Sequence, residues 1–193
     1  MSLAPDDWEQ HYRDENTQWD LGVPAPPLVR ASGLLAPVRT VVVGSGTGQD
    51  ALSLASRGFD VTGVDFAPSA VRIANENATK RKLTARYIQA DVLTMPGDDA
   101  PWQLWVEHTC FCAIDPSQRD AYVEAAHRSL APDGKLLALF YAHKREGGPP
   151  FATTRAEVEM RFGKHFDLLS MEIPEDSIER RRGDELLALF KRK

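Results

Sequence analysis

The chain lacks the usual features of secreted and membrane-bound proteins. Only two of its 193 residues are cysteine, Cys110 and Cys112, and this spacing fits neither a zinc finger nor a redox C-x-x-C motif. No apolar run approaches the ~18 residues that a membrane-spanning helix needs. The N-terminus is acidic and polar, unlike a secretory signal. We therefore expect a cytoplasmic protein with free thiols, no metal site and no membrane partner.

Basic residues are also outnumbered by acidic ones, 23 to 28. The formal net charge is −5, and no basic stripe with interleaved aromatic residues is present. Nucleic acid is therefore not an expected partner. The run Arg180-Arg181-Arg182 is interpreted as a solvated turn. No apolar docking face is evident, so we expect a monomer, and the length predicts one domain over residues 1–193 that acts on a small molecule.

Predicted strands and helices alternate along most of the chain, which indicates an α/β fold with a mostly parallel, Rossmann-like doubly wound sheet. The last two strands have no crossover helix between them, so they are expected to form an antiparallel hairpin at one edge. The predicted strands are 39–43, 60–65, 85–92, 104–110, 136–142, 167–173 and 184–191, with 132–134 as a turn. The predicted helices are 6–15, 49–57 with Gly58 as C-cap, 68–82, 116–130 capped by Asp115, and 155–162 opened by a capping box of Thr154 and Glu157. Residues 23–27 are expected to be an extended proline-rich loop.

A glycine loop, Gly44-Ser45-Gly46-Thr47-Gly48, directly follows the first strand. Glycine allows a tight turn and close approach of a ligand, and the amides of the next helix face that ligand. Asp65 ends the second strand, 21 residues after Gly44, where an acid can bond ribose hydroxyls. The dinucleotide motif needs glycine where Gln49 stands. The G-x-G-x-G form instead favours S-adenosylmethionine as the cofactor, and it argues against a nucleotide-binding oxidoreductase.

Three further polar residues lie at the predicted ends of strands. Asp91 could accept from an adenine amino group while Val92 supplies a backbone amide; alternatively, Asp91 only caps a turn. Glu107 and His108 interrupt an apolar strand, and burying them requires partners. They either line the site or satisfy a hydrogen bond in the core.

Several segments together resemble the thiopurine S-methyltransferase superfamily, and within it the thiol, thiocyanate and halide methyltransferases. The segments 8–12 and 19–22 are similar to its cofactor-covering helix and loop, which we place in residues 1–30. The segments 44–50, 111–119, 139–141 and 147–151 are also similar to family segments. The resemblance implies a class I methyltransferase fold with a seven-stranded sheet and an antiparallel C-terminal strand. It also implies cofactor contacts at Trp8, Tyr12, Trp19, Gly44, Ser45, Gly46, Asp65, Asp91, Val92 and Glu107.

The acceptor side of this resemblance is less complete. Glu107 stands where the halide and thiocyanate enzymes usually have aspartate, and His108 stands where they have tyrosine. The resemblance implies substrate contacts at Phe111 and Arg119, although Arg119 could instead form a salt bridge on a helix surface.

The expected reaction is methyl transfer to a small soft nucleophile: a thiol, hydrosulfide, thiocyanate, a halide or a thiopurine. Anionic nucleophiles need no base, but a thiol with a pKa near ~8.5 would benefit from one. The candidate bases are, in order, His108, Glu107 and Tyr141, and His143 is expected at the surface. An oxygen or nitrogen methyltransferase and a non-catalytic protein that binds S-adenosylmethionine or S-adenosylhomocysteine remain alternatives.

Overall fold

A computed structural model describes residues 5–95 and 101–193, so 1–4 and 96–100 of the predicted domain lie outside the described residues. Its strands are β1 Arg39–Val43, β2 Asp60–Asp65, β3 Arg86–Gln89, β4 Trp102–His108, β5 Leu130–Tyr141, β6 Phe166–Glu172 and β7 Glu185–Arg192. Its α-helices are α1 Pro5–Arg13, α2 Pro26–Ser32, α3 Gln49–Ala55, α4 Pro68–Arg81, α5 Arg119–Ser129 and α6 Arg155–Phe162. Short 3-10 turns are formed by Val92–Thr94, Pro116–Gln118 and Glu179–Arg181.

The seven strands form one sheet in the order β3-β2-β1-β4-β5-β7-β6. The strands β1 to β5 are parallel, and β7 is antiparallel to both of its neighbours. The predicted doubly wound sheet with an antiparallel C-terminal strand is confirmed, as is the hairpin of β6 and β7. This hairpin lies at one edge of the sheet, with β7 between β5 and the edge strand β6. The strand order reverses between β1 and β4, and ligands of such sheets bind at that reversal.

Both faces of the sheet are covered by helices. Val41 and Val43 of β1 pack into one apolar cluster, whereas Val42 between them packs into the cluster on the other face. This follows from the period of two along a strand, and it explains why a central strand is a continuous β-branched run. Among the described residues, no helix is long and apolar enough to cross a membrane.

Several predicted boundaries were wrong. The proline-rich segment continues into α2, with Pro26 and Pro27 in the first turn, where a missing N–H costs nothing. The third strand is four residues long rather than eight. The helix after Asp115 begins as a 3-10 turn, in which the Asp115 carboxylate accepts from the Ser117 amide, and α5 follows. The helix α3 ends at Ala55 with Ser56 as its C-cap.

Two local predictions near the end of the sheet had different outcomes. The predicted turn at 132–134 falls inside β5, where the register with β4 jumps from Leu130 to Lys135. The predicted cap of α6 is confirmed, because the Thr154 side chain accepts from the Glu157 amide.

Candidate active site

A cavity of about 740 Å³ lies at the carboxyl ends of the parallel strands, a volume within the ~300–1,000 Å³ typical of small-molecule sites. One half, the donor half, is bounded by the ends of β1, β2 and β3 and includes Gly44, Asp65 and Val92. The other, the acceptor half, is bounded by the ends of β4 and β5 and by the turn before β7. It includes His108, Tyr141, His143, Arg145, Glu146, Arg180 and Arg181.

The glycine loop adopts a backbone that other residues rarely adopt. Gly44 and Gly48 have φ values of +56° and +85°. A Cβ atom on Gly44 would lie 2.9 Å from Cys110 Sγ, and one on Gly48 would lie 2.6 Å from Tyr87 Oη. Glycine is therefore required by the neighbouring side chains as well as by the backbone angle.

The Asp65 carboxylate holds the loop together. Its Oδ2 accepts from the Gly46 amide at 2.9 Å, and its Oδ1 accepts from the Ala67 amide, just before α4, at 3.0 Å. Burial outweighs these bonds and raises the pKa of Asp65. Each carboxylate oxygen can accept a second bond, so Asp65 can also bind hydroxyl groups in the donor half.

A lid formed by residues 5–22 covers the cavity with packed aromatic rings. The Trp19 ring lies edge-on to Trp8 and Tyr12, with centroids 5.1 and 5.8 Å away, and its Nε1–H donates to Tyr12 Oη at 3.2 Å. Glu9 anchors the helix of the lid, because its carboxylate accepts from the amide and hydroxyl of Ser69 at 2.9 and 2.8 Å. All three aromatic residues line the cavity, as expected.

The two ring nitrogens of His108 are both engaged. Nδ1 lies 2.7 Å from Asp50 Oδ2, and Nε2 lies 2.9 Å from an Arg181 guanidinium nitrogen. An arginine can only donate, so Nε2 is the acceptor and Nδ1–H donates to Asp50. The ring is thus a neutral imidazole whose lone pair is already occupied. This differs from a free general base, which was the leading expectation.

Arg181 is buried, with 5% of its surface exposed, and does not lie in a solvated turn. Besides His108, it donates to the Trp19 carbonyl at 2.8 Å and faces the Glu185 carboxylate at 3.4 Å. It therefore joins the lid to the floor of the site. Sequence reasoning missed this role because a short arginine run before a strand carries no information about partners 73 residues away or more.

Tyr141 and His143 complete the acceptor half. Tyr141 Oη accepts from the Arg145 guanidinium at 2.6 Å. His143 was expected at the surface but is 2% exposed. Its Nδ1 accepts from the Arg145 amide at 3.1 Å, so its Nε2–H donates to the Pro150 carbonyl at 3.1 Å. Burial lowers the pKa of His143, which keeps the ring neutral.

Glu107, Phe111 and Arg119 do not line the cavity. Glu107 is fully buried, and its Oε2 accepts from the Phe111 amide at 2.6 Å; burial raises its pKa to about 7. Phe111 is a core residue. Arg119 is 1% exposed and pairs with Glu157 at 2.8 Å, so it forms a salt bridge, although an internal one. The expected ligand contacts of these three side chains therefore stay predictions, and none of the three lies in the cavity lining.

Three more residues of the expected cofactor set, Asp91, Ser45 and Gly46, also lie outside the cavity lining. The Asp91 carboxylate is exposed and accepts from the Leu93 amide at 2.9 Å, which is the turn cap considered as its alternative. Within the glycine loop, the Ser45 amide donates to the Val64 carbonyl at 3.0 Å and the Gly46 amide donates to Asp65.

Both cysteines line the cavity and are free. They follow the end of β4, so they do not share a strand face. Burial raises the pKa of both thiols, to about 12 for Cys112, and they therefore remain protonated at neutral pH. In residues 5–95 and 101–193, no cluster of side chains suited to a metal ion occurs.

A doubly wound sheet with a glycine loop after β1, an acid ending β2 and a covered cavity defines an α/β protein that binds a nucleoside-containing cofactor. Comparison with known proteins specifies the class further. The family profile of thiopurine S-methyltransferase matches residues 3–192. The chain is 32% identical to thiocyanate methyltransferase 1 of Arabidopsis thaliana over 193 residues, which is 96% of this chain and 84% of the relative. The chain belongs to the thiopurine S-methyltransferase family.

Solved structures agree with the fold. One from work on the conversion of a disulfide bond into a thioacetal group during echinomycin biosynthesis superimposes with a TM-score of 0.83. It is 23% identical, and the match covers 98% of this chain and 93% of the other. Magnesium protoporphyrin IX methyltransferase of Synechocystis, solved with bound S-adenosylmethionine, has a TM-score of 0.69 at 16% identity, covering 96% of this chain and 80% of that one.

The family and the fold make this chain an S-adenosylmethionine-dependent methyltransferase. The residues of the donor half fit that cofactor. Asp65 offers carboxylate acceptors for a ribose, Val92 and Ile114 offer apolar surface for a base, and the rings of the lid suit a sulfonium.

Proposed function

We propose that the protein transfers a methyl group to a small soft nucleophile, such as a thiol, hydrosulfide, thiocyanate, a halide or a thiopurine. The observation that carries the proposal is the state of the acceptor half. The Nε2 atom of His108, the Nδ1 atom of His143 and Tyr141 Oη all accept hydrogen bonds from arginine side chains or amides. Among the described residues, these three groups of the acceptor half thus offer no free base.

Such a site suits an acceptor that arrives as an anion or loses its proton easily. Hydrosulfide, thiocyanate and halides are anions at neutral pH, and a thiol with a pKa near ~8.5 is partly ionised there. An alcohol or amine would instead need a base within reach of its proton. The name of the relative, thiocyanate methyltransferase 1, and the name of the family, thiopurine S-methyltransferase, both refer to acceptors of this class.

S-adenosylmethionine supplies a methyl group on a positively charged sulfur, which the acceptor takes by in-line displacement to leave S-adenosylhomocysteine. The protein orients the acceptor and excludes water. The donor half would hold the cofactor through Gly44, Asp65 and Val92. Trp8, Tyr12 and Trp19 would cover it and exclude water.

His108 and Tyr141 act in this proposal as positioning residues, because each holds an arginine at the acceptor half. Lone thiols in the cavity do not compete with the acceptor, since burial raises the pKa of Cys110 and Cys112. We further propose that the protein is a single-domain, cytoplasmic monomer that acts on a small molecule rather than on nucleic acid.

The test is turnover with labelled methyl donor and a panel of hydrosulfide, thiocyanate, iodide, an aryl thiol and a thiopurine, following both methylated product and S-adenosylhomocysteine. Turnover of a sulfur nucleophile or halide above that of a matched phenol and amine supports the proposal. Faster turnover of the phenol or amine would establish an oxygen or nitrogen methyltransferase instead. Donor binding without turnover of any acceptor would leave a binding protein.

A further inference from the structure

Two arginines at the mouth of the acceptor half, Arg145 and Arg180, have no acidic partner within the described part of the chain. Arg145 donates to Tyr141 Oη at 2.6 Å, and Arg180 reaches only the Asp20 carbonyl, at 3.4 Å. Both side chains are exposed and line the cavity. The third arginine there, Arg181, is buried and faces Glu185. The hydrogen bonds of Arg145 and Arg180 go to uncharged oxygens, so no described carboxylate pairs with the positive charge of either guanidinium.

The topology brings these two residues to the same entrance. Arg145 follows β5, and Arg180 lies in the turn before β7. The two strands are antiparallel neighbours whose register pairs Tyr141 with Glu185. The pairing continues past the strand end, where the Ala142 amide donates to the Asp184 carbonyl. Both arginines therefore lie in the acceptor half of the cavity. They are next to β5 and β7, on the other side of β4 from the strands β1, β2 and β3 that bound the donor half.

The charge at this entrance opposes the charge of the chain as a whole. The described lining of the acceptor half contains three arginines and one glutamate, Glu146, whereas the chain carries a formal charge of −5. An anion approaching from a distance is repelled by the whole protein but attracted at the entrance, where nearby charges dominate the potential. A planar guanidinium also binds carboxylate and phosphate oxygens through two parallel hydrogen bonds.

We propose that Arg145 and Arg180 form a subsite for a second anionic group on the acceptor, a carboxylate, sulfonate or phosphate carried by the same molecule as the nucleophilic sulfur. This inference rests on the proposed function, because it assumes methyl transfer to sulfur. It predicts an acceptor larger than hydrosulfide, thiocyanate or a halide, since those ions have no second charged group. The two arginines then select the acceptor, and other residues of the acceptor half align it for methyl transfer.

The experiment compares two aryl thiols of similar size, 4-sulfanylbenzoate and 4-methylbenzenethiol, with the full-length enzyme. The quantity measured is the ratio of their kcat/KM values, in wild type, Arg145→Gln, Arg180→Gln and the double variant. Arg72→Gln is the control, because Arg72 is an exposed arginine of α4 that pairs with Glu76 and does not line the cavity. Comparing this ratio between wild type and each variant cancels the different reactivities of the two thiolates and any loss of activity that affects both thiols equally.

We expect wild type to favour the carboxylated thiol and the double variant to lose about 10-fold of that preference through KM, as for two charge-assisted contacts. The preference should also shrink as salt is added, because exposed charges are screened. Arg72→Gln should keep the wild-type ratio. Conservative Arg145→Lys and Arg180→Lys variants should keep more of the preference than the glutamine variants.

Four results would overturn the inference. An unchanged ratio in the double variant would remove both arginines from acceptor selection. An equal loss for the two thiols would mean that the arginines serve the thiolate itself, and a rise in the KM of the methyl donor would mean that they serve the donor. If wild type methylates neither thiol, this inference fails, and the proposed function fails with it only if hydrosulfide, thiocyanate, iodide and a thiopurine are not methylated either. Loss of selectivity while both thiols turn over leaves the proposed function intact.

Discussion

Asp50 at the start of α3 holds His108 at the end of β4, with Oδ2 and Nδ1 2.7 Å apart. The other oxygen of Asp50 accepts from the Ala25 amide at 2.8 Å, so one carboxylate fixes both the ring and the start of α2. Burial alone would raise the pKa of Asp50. The hydrogen bond from His108 Nδ1–H, the Ala25 amide and the charge of Arg181 together hold that pKa below its ordinary value. Asp50 is therefore a buried anion that fixes the tautomer of His108.

Asp50→Asn should disrupt this arrangement without changing the shape of the side chain. An amide has one oxygen, so it cannot accept from both Ala25 and His108. An NH₂ group facing Nδ1 would force the proton onto Nε2, against Arg181. We expect unfolding free energy to fall by about 1–3 kcal/mol, the cost of an unsatisfied buried group, with a fall in kcat. Denaturant titration and steady-state kinetics check this, with exposed Asp60→Asn as the control. Retention of wild-type kcat and stability would show that the pair has no role.

Arg181 is expected to control closure of the lid because it bonds both His108 and the Trp19 carbonyl. Arg181→Met should cost about 3 kcal/mol of stability, since it leaves Glu185 buried without its partner. Arg181→Lys keeps the charge but cannot reach several acceptors at once, so it should mainly raise amide hydrogen exchange in residues 5–22. The neighbouring exposed Arg182→Gln is the control. Equal amide hydrogen exchange of residues 5–22 in Arg181→Lys and Arg182→Gln would argue against control of the lid by Arg181.

The glycine loop offers a way to separate backbone strain from steric clash. Gly183 has φ +85° and nothing within 4 Å of the point that a Cβ atom would occupy, whereas Gly44 has φ +56° and a Cβ there would lie 2.9 Å from Cys110 Sγ. Gly183→Ala should cost about 1–2 kcal/mol from strain alone and leave donor affinity intact. Gly44→Ala should cost more and weaken binding of S-adenosylhomocysteine, measured by calorimetry. Equal stability losses with unchanged affinity would refute the steric argument.

Two carboxylates of the donor half are expected to differ in importance. Asp65 faces the cavity and holds the Gly46 amide, whereas Asp91 caps a turn in solvent. Asp65→Asn should weaken binding of S-adenosylhomocysteine by about 10-fold or more, because it removes a charge-assisted acceptor. Asp91→Asn should change affinity less than about threefold, since its carboxylate bonds only its own turn. If Asp91→Asn has the larger effect, Asp91 moves to the base of the cofactor on binding.

Glu107 should make stability depend on pH. Burial raises its pKa to about 7 in the folded protein, against about 4.3 in the unfolded chain. Between these two pH values the folded state binds more protons than the unfolded state. The contribution of Glu107 to the free energy of unfolding therefore falls as pH rises, and it is constant above about pH 7. Relative to Glu107→Gln, the free energy of unfolding of wild type should fall by up to about 3 kcal/mol between the unfolded and folded pKa values. Denaturation at pH 5 to 8 checks this, with exposed Glu124→Gln as control. Parallel curves for wild type and Glu107→Gln would exclude a raised pKa.

Much of the fold followed from local patterns. The run of β-branched residues in β1, the glycines after it and Asp65 at the end of β2 each depend on neighbours close in sequence, and they led to the sheet and the donor half. The position of β7 between β5 and β6 was not predicted, because periodicity identifies a strand but not which edge it pairs with. The helix α2 was missed because its prolines suggested a loop, although proline is favoured in a first helical turn.

The acceptor half depended on tertiary structure. A sequence shows that His108, Glu107, Arg119 and Arg181 are polar residues near apolar strands, but their chemistry depends on what each one meets. His108 bonds residues 58 and 73 positions away, and Arg119 bonds Glu157, 38 positions away. The cost of burying a polar group is removed only by its actual partner, and the partner is selected by folding. The sequence by itself determined the class of fold and the glycine loop and acid at the ends of β1 and β2, whereas only the packing of distant segments decided which polar groups line the other half of the cavity.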